Sequence, residues 1–275
     1  MTFTIDLAGR RALVTGGGQG IGRATARALA DAGGSVVVND VVAERAEAVA
    51  AEIRGAGGEA GGAAFDVTDR HAVRAAIEAL GGVDVLVNNA GNAGAEGFAP
   101  MVPFADTDPD TWDRYLRVNL YGVMNCTHAA LPAMIARGEG RIVTVVSDAG
   151  RFGDAYLAPY AAAKAGAAGF CRSVAREVGR HGITVNCVSL GSVRTPATEP
   201  EELGSPGQPP QPAQPGQPQQ PEETDEATRR LRRYIIRRYG EPADVAAMVT
   251  YLASPLASWI TGQTYAVNGG YTLSL

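Results

Sequence analysis

Hydrophobic positions along this chain alternate between two rhythms. Short, nearly continuous apolar runs, most of them Val-rich, cover residues 11–15, 35–39, 62–65, 83–88, 141–147, 184–189 and 264–267. Such runs suit strands buried on both faces of a parallel sheet better than strands with one wet face. Between them, residues 21–32, 43–56, 70–80, 111–137, 159–180 and 243–252 read as helices. The alternation predicts an α/β fold, a doubly wound seven-stranded parallel sheet with helices on both faces. Right-handed crossovers then gather functional loops at the carboxyl ends of the strands. At 275 residues the chain is long enough for one large domain, 1–275, with a substantial core.

Composition narrows the function classes. The formal net charge is −5 and neither end carries a basic tail, so a nucleic-acid partner has no global electrostatic support. Cys126, Cys171 and Cys187 lack metal-ligand spacing and lie in apolar surroundings, as small core residues do. His71, His128 and His181 are scattered, and no metal site is expected. No leader peptide or membrane span is visible, and a reduced cytoplasmic setting is the expectation.

Three positions carry candidate chemistry. Tyr160 and Lys164 stand four residues apart, which on a helix puts both side chains on one face, one turn apart. An ammonium beside a phenol favours its ionised form and brings a pKa of about 10 down into a useful range. Ser147 supplies a hydroxyl to hold the reacting oxygen. Upstream, the first strand-to-helix turn reads Thr15-Gly-Gly-Gly-Gln-Gly-Ile-Gly22. Gly16, Gly20 and Gly22 leave room for a diphosphate at a helix N-terminus, or else simply permit a tight turn and close packing. The second strand ends at Asp40, eighteen residues after Gly22, where a carboxylate can accept bonds from an adenine-ribose. Its charge repels a 2′-phosphate, and neither Gln19 nor Val41 offers a compensating cation, although Arg23 and Arg45 are close in sequence. NAD is therefore favoured over NADP; the alternative role for Asp40 is to cap the helix that follows.

With these residues in place the chain resembles the classical short-chain dehydrogenase/reductase family. The resemblance is carried by T-G-x-x-x-G-x-G at residues 15–22, Asp66 in FDVTD, N-N-A-G at 88–91, Asn119 in RVNLYG, Ser147, Tyr160-x-x-x-Lys164, NCVSLGSVRT at 186–195 and TGQTYAVNGG near the end. It spans almost the whole chain and implies a single-domain Rossmann fold. It implies Tyr160 as general acid/base, Lys164 lowering the phenol pKa and binding the nicotinamide ribose, and Ser147 bonding the substrate oxygen. Asn119 would hold a water that links Lys164 to solvent. On the cofactor side it implies Gly16, Gln19, Gly20, Ile21 and Gly22 at the diphosphate, Asp66 and Val67 at the adenine, Asn88, Ala90 and Gly91 along the cofactor, and Gly191, Val193 and Thr195 near the carboxamide or phosphates. The implied chemistry is an alcohol losing a proton to the protein and a hydride to NAD(P).

Two departures stand out. The family's Pro-Gly after the sixth strand is Leu190-Gly191 here, which removes a fixed φ. Residues 199–223 form a Pro/Gln-rich insert with eight of the sixteen prolines, inside the segment 194–239 that the family uses as a substrate lid. It is expected to be extended and poorly packed, as a linker or as a partner-docking segment. Residues 224–239 follow, where Leu231, Ile235 and Tyr239 fall on one helical stripe and Arg229, Arg230, Arg233 and Arg237 on the other side. A lid helix is expected, with its basic face solvated or meeting a coenzyme A or carrier-protein thioester. The substrate pocket is expected from 92–103, 148–157 and the lid, with Ala93, Ala95, Phe98, Met101, Phe152 and Leu157 making it largely apolar and Arg151 available for an anion.

The leading expectation is an NAD-dependent oxidoreductase that interconverts a secondary alcohol and a ketone. Its substrate would be an apolar cyclic alcohol or a hydroxyacyl-CoA, since IVTVVSDAGRFG also resembles the subgroup acting on hydroxyacyl-CoA esters. The alternatives are an NADPH-dependent 3-oxoacyl thioester reductase and a non-catalytic NAD(H)-sensing regulator. Family habit implies a homotetramer, with a dimer next, through helices 111–137 and 159–180.

Overall fold

The computed structural model describes residues 4–91, 102–195 and 231–273. Seven strands form one parallel sheet in the order β3-β2-β1-β4-β5-β6-β7. They are β1 Arg11–Val14, β2 Ser35–Asp40, β3 Glu59–Ala64, β4 Val85–Asn88, β5 Gly140–Ser147, β6 Ile183–Leu190 and β7 Thr264–Val267. The order reverses between β1 and β4, which opens a crevice at their carboxyl ends, the place where doubly wound sheets bind ligands. The helices are α1 Gly20–Asp31, α2 Ala43–Gly55, α3 Arg70–Ala79, α4 Trp112–Leu116, α5 Gly122–Arg137, α6 Ala149–Phe152, α7 Ala158–Val178 and α8 Pro242–Ala253.

Alternating strand residues build two cores, one on each face of the sheet. Val14, Val36, Val38, Val85 and Val87 pack under α1, α2 and α8. Their neighbours Leu13, Val37 and Leu86 point the other way, under α3, α5 and α7. This is the period-two geometry of a strand applied to a sheet covered on both sides. Cys126, Cys171 and Cys187 are buried thiols in the second core, and burial pushes Cys126 up to about 12.

Local signals explain most element ends. Asp69 caps α3 by accepting from the N–H groups of His71 and Ala72. A capping box joins Glu241 and Asp244 at the start of α8. Gly138 ends α5 in the left-handed conformation at φ 72°.

Three expectations need amendment. β3 begins at Glu59, ahead of the expected 62, because an edge strand pairing only with β2 tolerates the polar and glycine residues that hid it. The long helix of 111–137 is interrupted by a π-helical turn, Arg117–Tyr121. The helix expected over 224–239 does not continue past Arg232: residues 233–239 run as turns and bends. Tyr234, off the expected stripe, is buried there while Ile235, at its centre, is exposed, so the helical stripe as a whole is not the buried face. Tyr234 packs instead against Tyr239 and Tyr271, with ring centroids 5.7 and 5.1 Å apart, and aromatic packing overrides the 3.6-residue rhythm. The insert 199–223, residues 92–101 and most of the lid lie outside the described residues, including the expected pocket residues Ala93, Ala95, Phe98 and Met101 and the arginines Arg229 and Arg230. Among the described residues no helix is long and apolar enough to cross a membrane, and no His, Cys, Asp and Glu group is arranged to hold a metal ion.

Candidate active site

The turn after β1 is shaped by residues that have no side chain to spare. Gly16 and Gly20 sit at positive φ, 60° and 52°. A Cβ on Gly22 would lie 2.1 Å from the Gly16 carbonyl oxygen, and one on Gly18 would lie 2.6 Å from the Asp40 carboxylate. Asn89 staples the turn from β4, donating from Nδ2 to the carbonyls of Thr15 (3.0 Å) and Gly16 (2.9 Å). The Thr15 hydroxyl accepts from the N–H groups of Asn89 and Ala90. Gln19 is the extended N-cap of α1 with no side-chain cap bond, and Gly20, Ile21 and Gly22 open the helix. First-turn N–H groups have no partner inside a helix, so the turn presents donors to an anion. A Cβ on Gly20 would meet Thr195 at 3.3 Å, so Thr195 borders the same cradle. The cradle therefore fits a dinucleotide's diphosphate.

Asp40 is buried at the end of β2. Its carboxylate accepts from the N–H of Gly18 (3.2 Å) and of Val42 (3.0 Å). It thus anchors the turn to β2; the N-cap of α2 is Val42. Arg23 is committed to Glu52 through two bonds of 2.8 and 2.7 Å. Arg45 runs alongside Gly18 and Asp40. Val67 is buried against the first turn of α5, where a Cβ on Gly122 would approach it to 2.7 Å, while Asp66 is exposed beside it. Asn88 is held by donating to Thr127 and Thr144. Gly191 lies against Asn268 and Tyr234, and Val193 forms a bridge with Gly240.

Ser147, Tyr160, Lys164 and Asn119 come together at the end of β5. Ser147 hydrogen-bonds the Tyr160 phenol, and its Oγ accepts from the Ala149 N–H at 3.2 Å. Lys164 is buried; its Nζ donates to the Val145 carbonyl at 3.0 Å and lies 5.8 Å from the Tyr160 ring centre. Asn119 is buried within the π-helical turn, the kind of local widening that recurs at functional sites. Gly91 keeps the centre open: a Cβ there would sit 3.0 Å from both Asn119 Oδ1 and Lys164 Nζ.

The electrostatics of this centre correct one expectation. Burial pushes the Tyr160 phenol up to about 12, although the Ser147 bond pulls the other way. Burial likewise pulls the Lys164 ammonium down to about 8. In the chain by itself desolvation dominates both groups, because losing water penalises each charged form. The helical spacing revealed the pairing of the two groups but not their burial.

A pocket of about 280 Å³ opens beside Tyr160. Tyr115, Tyr156, Leu157, Pro159 and Val102 wall it, and Asp106, Thr107, Asp108 and Thr111 line the rest. Of the expected lining, Leu157 is present, as are Val102 and Tyr156 from the expected segments 92–103 and 148–157. Arg151 is turned away, 3.5 Å from Asp148 and stacked on Phe152, which is itself exposed. Sequence reasoning missed Tyr115, which meets Tyr160 edge to face at 6.3 Å. Tyr156 falls in the expected segment 148–157, but its backbone was not foreseen: among the described residues it is the non-glycine residue with positive φ, at 69°. A left-handed conformation costs an L-residue on the order of 1–2 kcal/mol. Asp148, next to Ser147, was likewise unremarked as a clamp. Its buried carboxylate accepts from Ser189 Oγ (2.6 Å), Asn268 Nδ2 (2.6 Å) and Thr272 Oγ1 (2.7 Å), tying the C-terminal segment to the end of β5.

Known proteins resemble this chain over most of its length. The family model described as short chain dehydrogenase matches residues 10–204. The chain is 40% identical over 268 residues to a cis-4-hydroxycyclohexanecarboxylate dehydrogenase of Sinomonas cyclohexanicum, covering 96% of each. It is 34% identical over 273 residues to a 3-oxoacyl-(acyl-carrier-protein) reductase of Thermotoga maritima, covering 97% of this chain and 99% of that one. A crystal structure of a gluconate 5-dehydrogenase from Burkholderia cenocepacia, in complex with NADP and tartrate, superposes with a TM-score of 0.84 at 33% identity over 98% of both chains.

Proposed function

We propose that this chain, which belongs to the short chain dehydrogenase family and is an oxidoreductase acting on CH–OH groups, interconverts a secondary alcohol and a ketone with NAD. The observation that carries the proposal is the buried Tyr160 beside buried Lys164, whose Nζ lies 5.8 Å from the ring centre, with the Ser147 hydroxyl next to the phenol at the wall of a largely apolar pocket. When bound, a nicotinamide supplies the hydride acceptor for oxidation and the hydride donor for reduction. Ser147 would hold the reacting oxygen while Tyr160 takes the hydroxyl proton, or returns it to the nascent alkoxide. A phenol near 12 is protonated at neutral pH, so the chain by itself is poised as an acid, and oxidation gains as pH rises. Lys164 would bind the nicotinamide ribose, and Asn119 would relay the proton outward through water.

Asp40 supports NAD: a buried carboxylate at the ribose end repels a 2′-phosphate. Arg45 supports NADP as the second reading, because it stands beside Asp40 while Arg23 is taken by Glu52. The Burkholderia enzyme's bound NADP gives that reading weight. For the substrate we favour an apolar cyclic alcohol over a hydroxyacyl-CoA. The pocket's volume of about 280 Å³ falls near the lower end, roughly 300 Å³, of small-molecule sites, and no Lys, Arg or His among the described residues lines it. The Sinomonas relative is named for a ring alcohol, cis-4-hydroxycyclohexanecarboxylate, which supports the ring but adds a carboxylate, and the Thermotoga relative keeps the thioester reductase as its rival. We further propose one domain with residues 194–239 as its lid, assembled as a homotetramer. Tyr121, Met124 and Ile135 leave apolar surface along the α4–α5 helix, and Trp259, 98% exposed ahead of β7, adds another, which supports self-association. The test is an initial-rate panel of secondary alcohols, sterols and hydroxyacyl-CoA esters with NAD and with NADP. The expected result is a cyclic secondary alcohol oxidised at least about 10-fold faster with NAD, a factor worth roughly 1.4 kcal/mol; faster turnover with NADP would overturn the assignment to Asp40.

A further inference from the structure

The turn joining α6 to α7 holds a residue that its backbone does not favour. Leu157 N–H donates to the Asp154 carbonyl at 3.3 Å, closing a four-residue turn with Tyr156 in third place. Positive φ at the third position, and not at the second, is the type II pattern, where glycine is the usual occupant. Tyr156 carries a Cβ and a ring into that conformation. Packing does not explain the choice, because Tyr156 is 57% exposed. Nor do its own contacts, since no hydrogen bond or ring contact involves its side chain among the described residues. Backbone outliers of this kind gather at ligand sites, where what binds accounts for the strain.

The position says what binds. Tyr156 lines the pocket together with Tyr115, Leu157 and Pro159, directly beside Tyr160. Both ends of the turn are fixed, one at Gly153 after α6 and the other at Leu157, the N-cap of α7. The opposite aromatic wall, Tyr115, is buried and held edge-on against Tyr160. The pocket thus carries one half-exposed ring, Tyr156, and one buried ring, Tyr115, both beside the proton-transfer group Tyr160. Two apolar faces set this way suit a flat or puckered ring better than a flexible chain, because a ring offers area without losing rotamer freedom.

We propose that Tyr156 is a specificity-determining residue, a wall that selects secondary alcohols whose carbinol carbon belongs to a ring. The proposal rests on the secondary-alcohol activity argued above and adds a selectivity to it. It is tested on the full-length enzyme by comparing kcat/KM for cyclohexanol with that for 2-butanol. Tyr156→Gly removes the ring and suits the turn, so the cyclohexanol-to-2-butanol ratio is expected to fall at least 10-fold. Tyr156→Phe, which keeps the ring, is expected to restore it. Tyr156→Asn serves as a second ring-less variant, because asparagine also tolerates the left-handed region. A ratio unchanged in the ring-less variants, or lost equally in Tyr156→Phe, overturns the proposal. If the wild-type enzyme oxidises neither alcohol, the activity assignment fails for these substrates while the selectivity can still be read. Calorimetric titration of cyclohexanone into the NADH-loaded protein must then show at least 10-fold weaker binding to Tyr156→Gly than to wild type, and equal affinities refute the wall.

Discussion

At the carboxyl end of β1 the site is made of backbone; at the carboxyl end of β5 it is made of side chains. The first region uses Gly16, Gly18, Gly20 and Gly22 to bring main chain against main chain, with Asn89 and Thr15 holding the turn to β4. The second draws Ser147, Asp148, Tyr156, Tyr160 and Lys164 from β5, α7 and the segment between them, and adds Tyr115 and Asn119 from the helix that follows β4. The first region tolerates almost no added atom but asks little of burial. The second depends on how much water each polar group has lost. A diphosphate can be met by a repeated local pattern, whereas proton transfer at neutral pH has to be tuned by surroundings that come from several segments.

That contrast can be broken most forcefully at Gly22. Gly22→Ala places a Cβ 2.1 Å from the Gly16 oxygen and 2.5 Å from Asn89 Nδ2, so the turn must move. NADH affinity, followed by fluorescence titration, is expected to fall at least about 100-fold, or roughly 2.7 kcal/mol. Circular dichroism at working temperature would confirm that the sheet persists. Near-normal affinity would mean that the cradle is more pliable than its geometry says.

A smaller effect sharpens the other side of the contrast, at Lys164. Its folded value of about 8 lies below the ordinary 10.5, so the unfolded chain holds the proton more firmly. Between these values the unfolded state binds more protons, and stability therefore rises with pH. Tyr160 and Cys126, both raised, act in the opposite sense at higher pH. The clean measurement is thus the difference between wild type and Lys164→Met in denaturant midpoints from pH 7 to 10. Wild type is expected to gain on the order of 2–3 kcal/mol relative to the variant across that range. A flat difference would mean that the ammonium is not desolvated as its burial implies.

The two regions also differ in how far they could be read from residue order. Strand runs, helix runs and the glycine turn follow from local chemistry, so the sheet and its switch point between β1 and β4 were legible. The spacing of Tyr160 and Lys164 was legible for the same reason, since one helical turn is a local rule. Their burial was not, because it depends on α4, α7 and β5 packing together. Asp148 looked like any acidic residue after a strand; its clamp on Asn268 and Thr272 spans 120 and 124 positions. The π-helical turn at Asn119 and the left-handed Tyr156 carry no residue signature, being departures from what their sequences prefer. The stripe of Leu231, Ile235 and Tyr239 misled in the opposite direction. There a periodic pattern yielded to the packing of Tyr234 against Tyr271, thirty-seven residues further along the chain.

The central claim is that Tyr160 moves the proton while the glycine cradle holds the cofactor independently. Tyr160→Phe removes one oxygen from the centre and touches nothing in the cradle. Oxidation of whichever cyclic secondary alcohol the panel identifies is expected to lose about 10³-fold in kcat, within the usual 10²–10⁴ for a general acid/base. NADH affinity of the same variant is expected to stay within about twofold, less than the 1.4 kcal/mol that a tenfold change represents. Turnover surviving in Tyr160→Phe would contradict the account, and so would cofactor binding lost in step with activity.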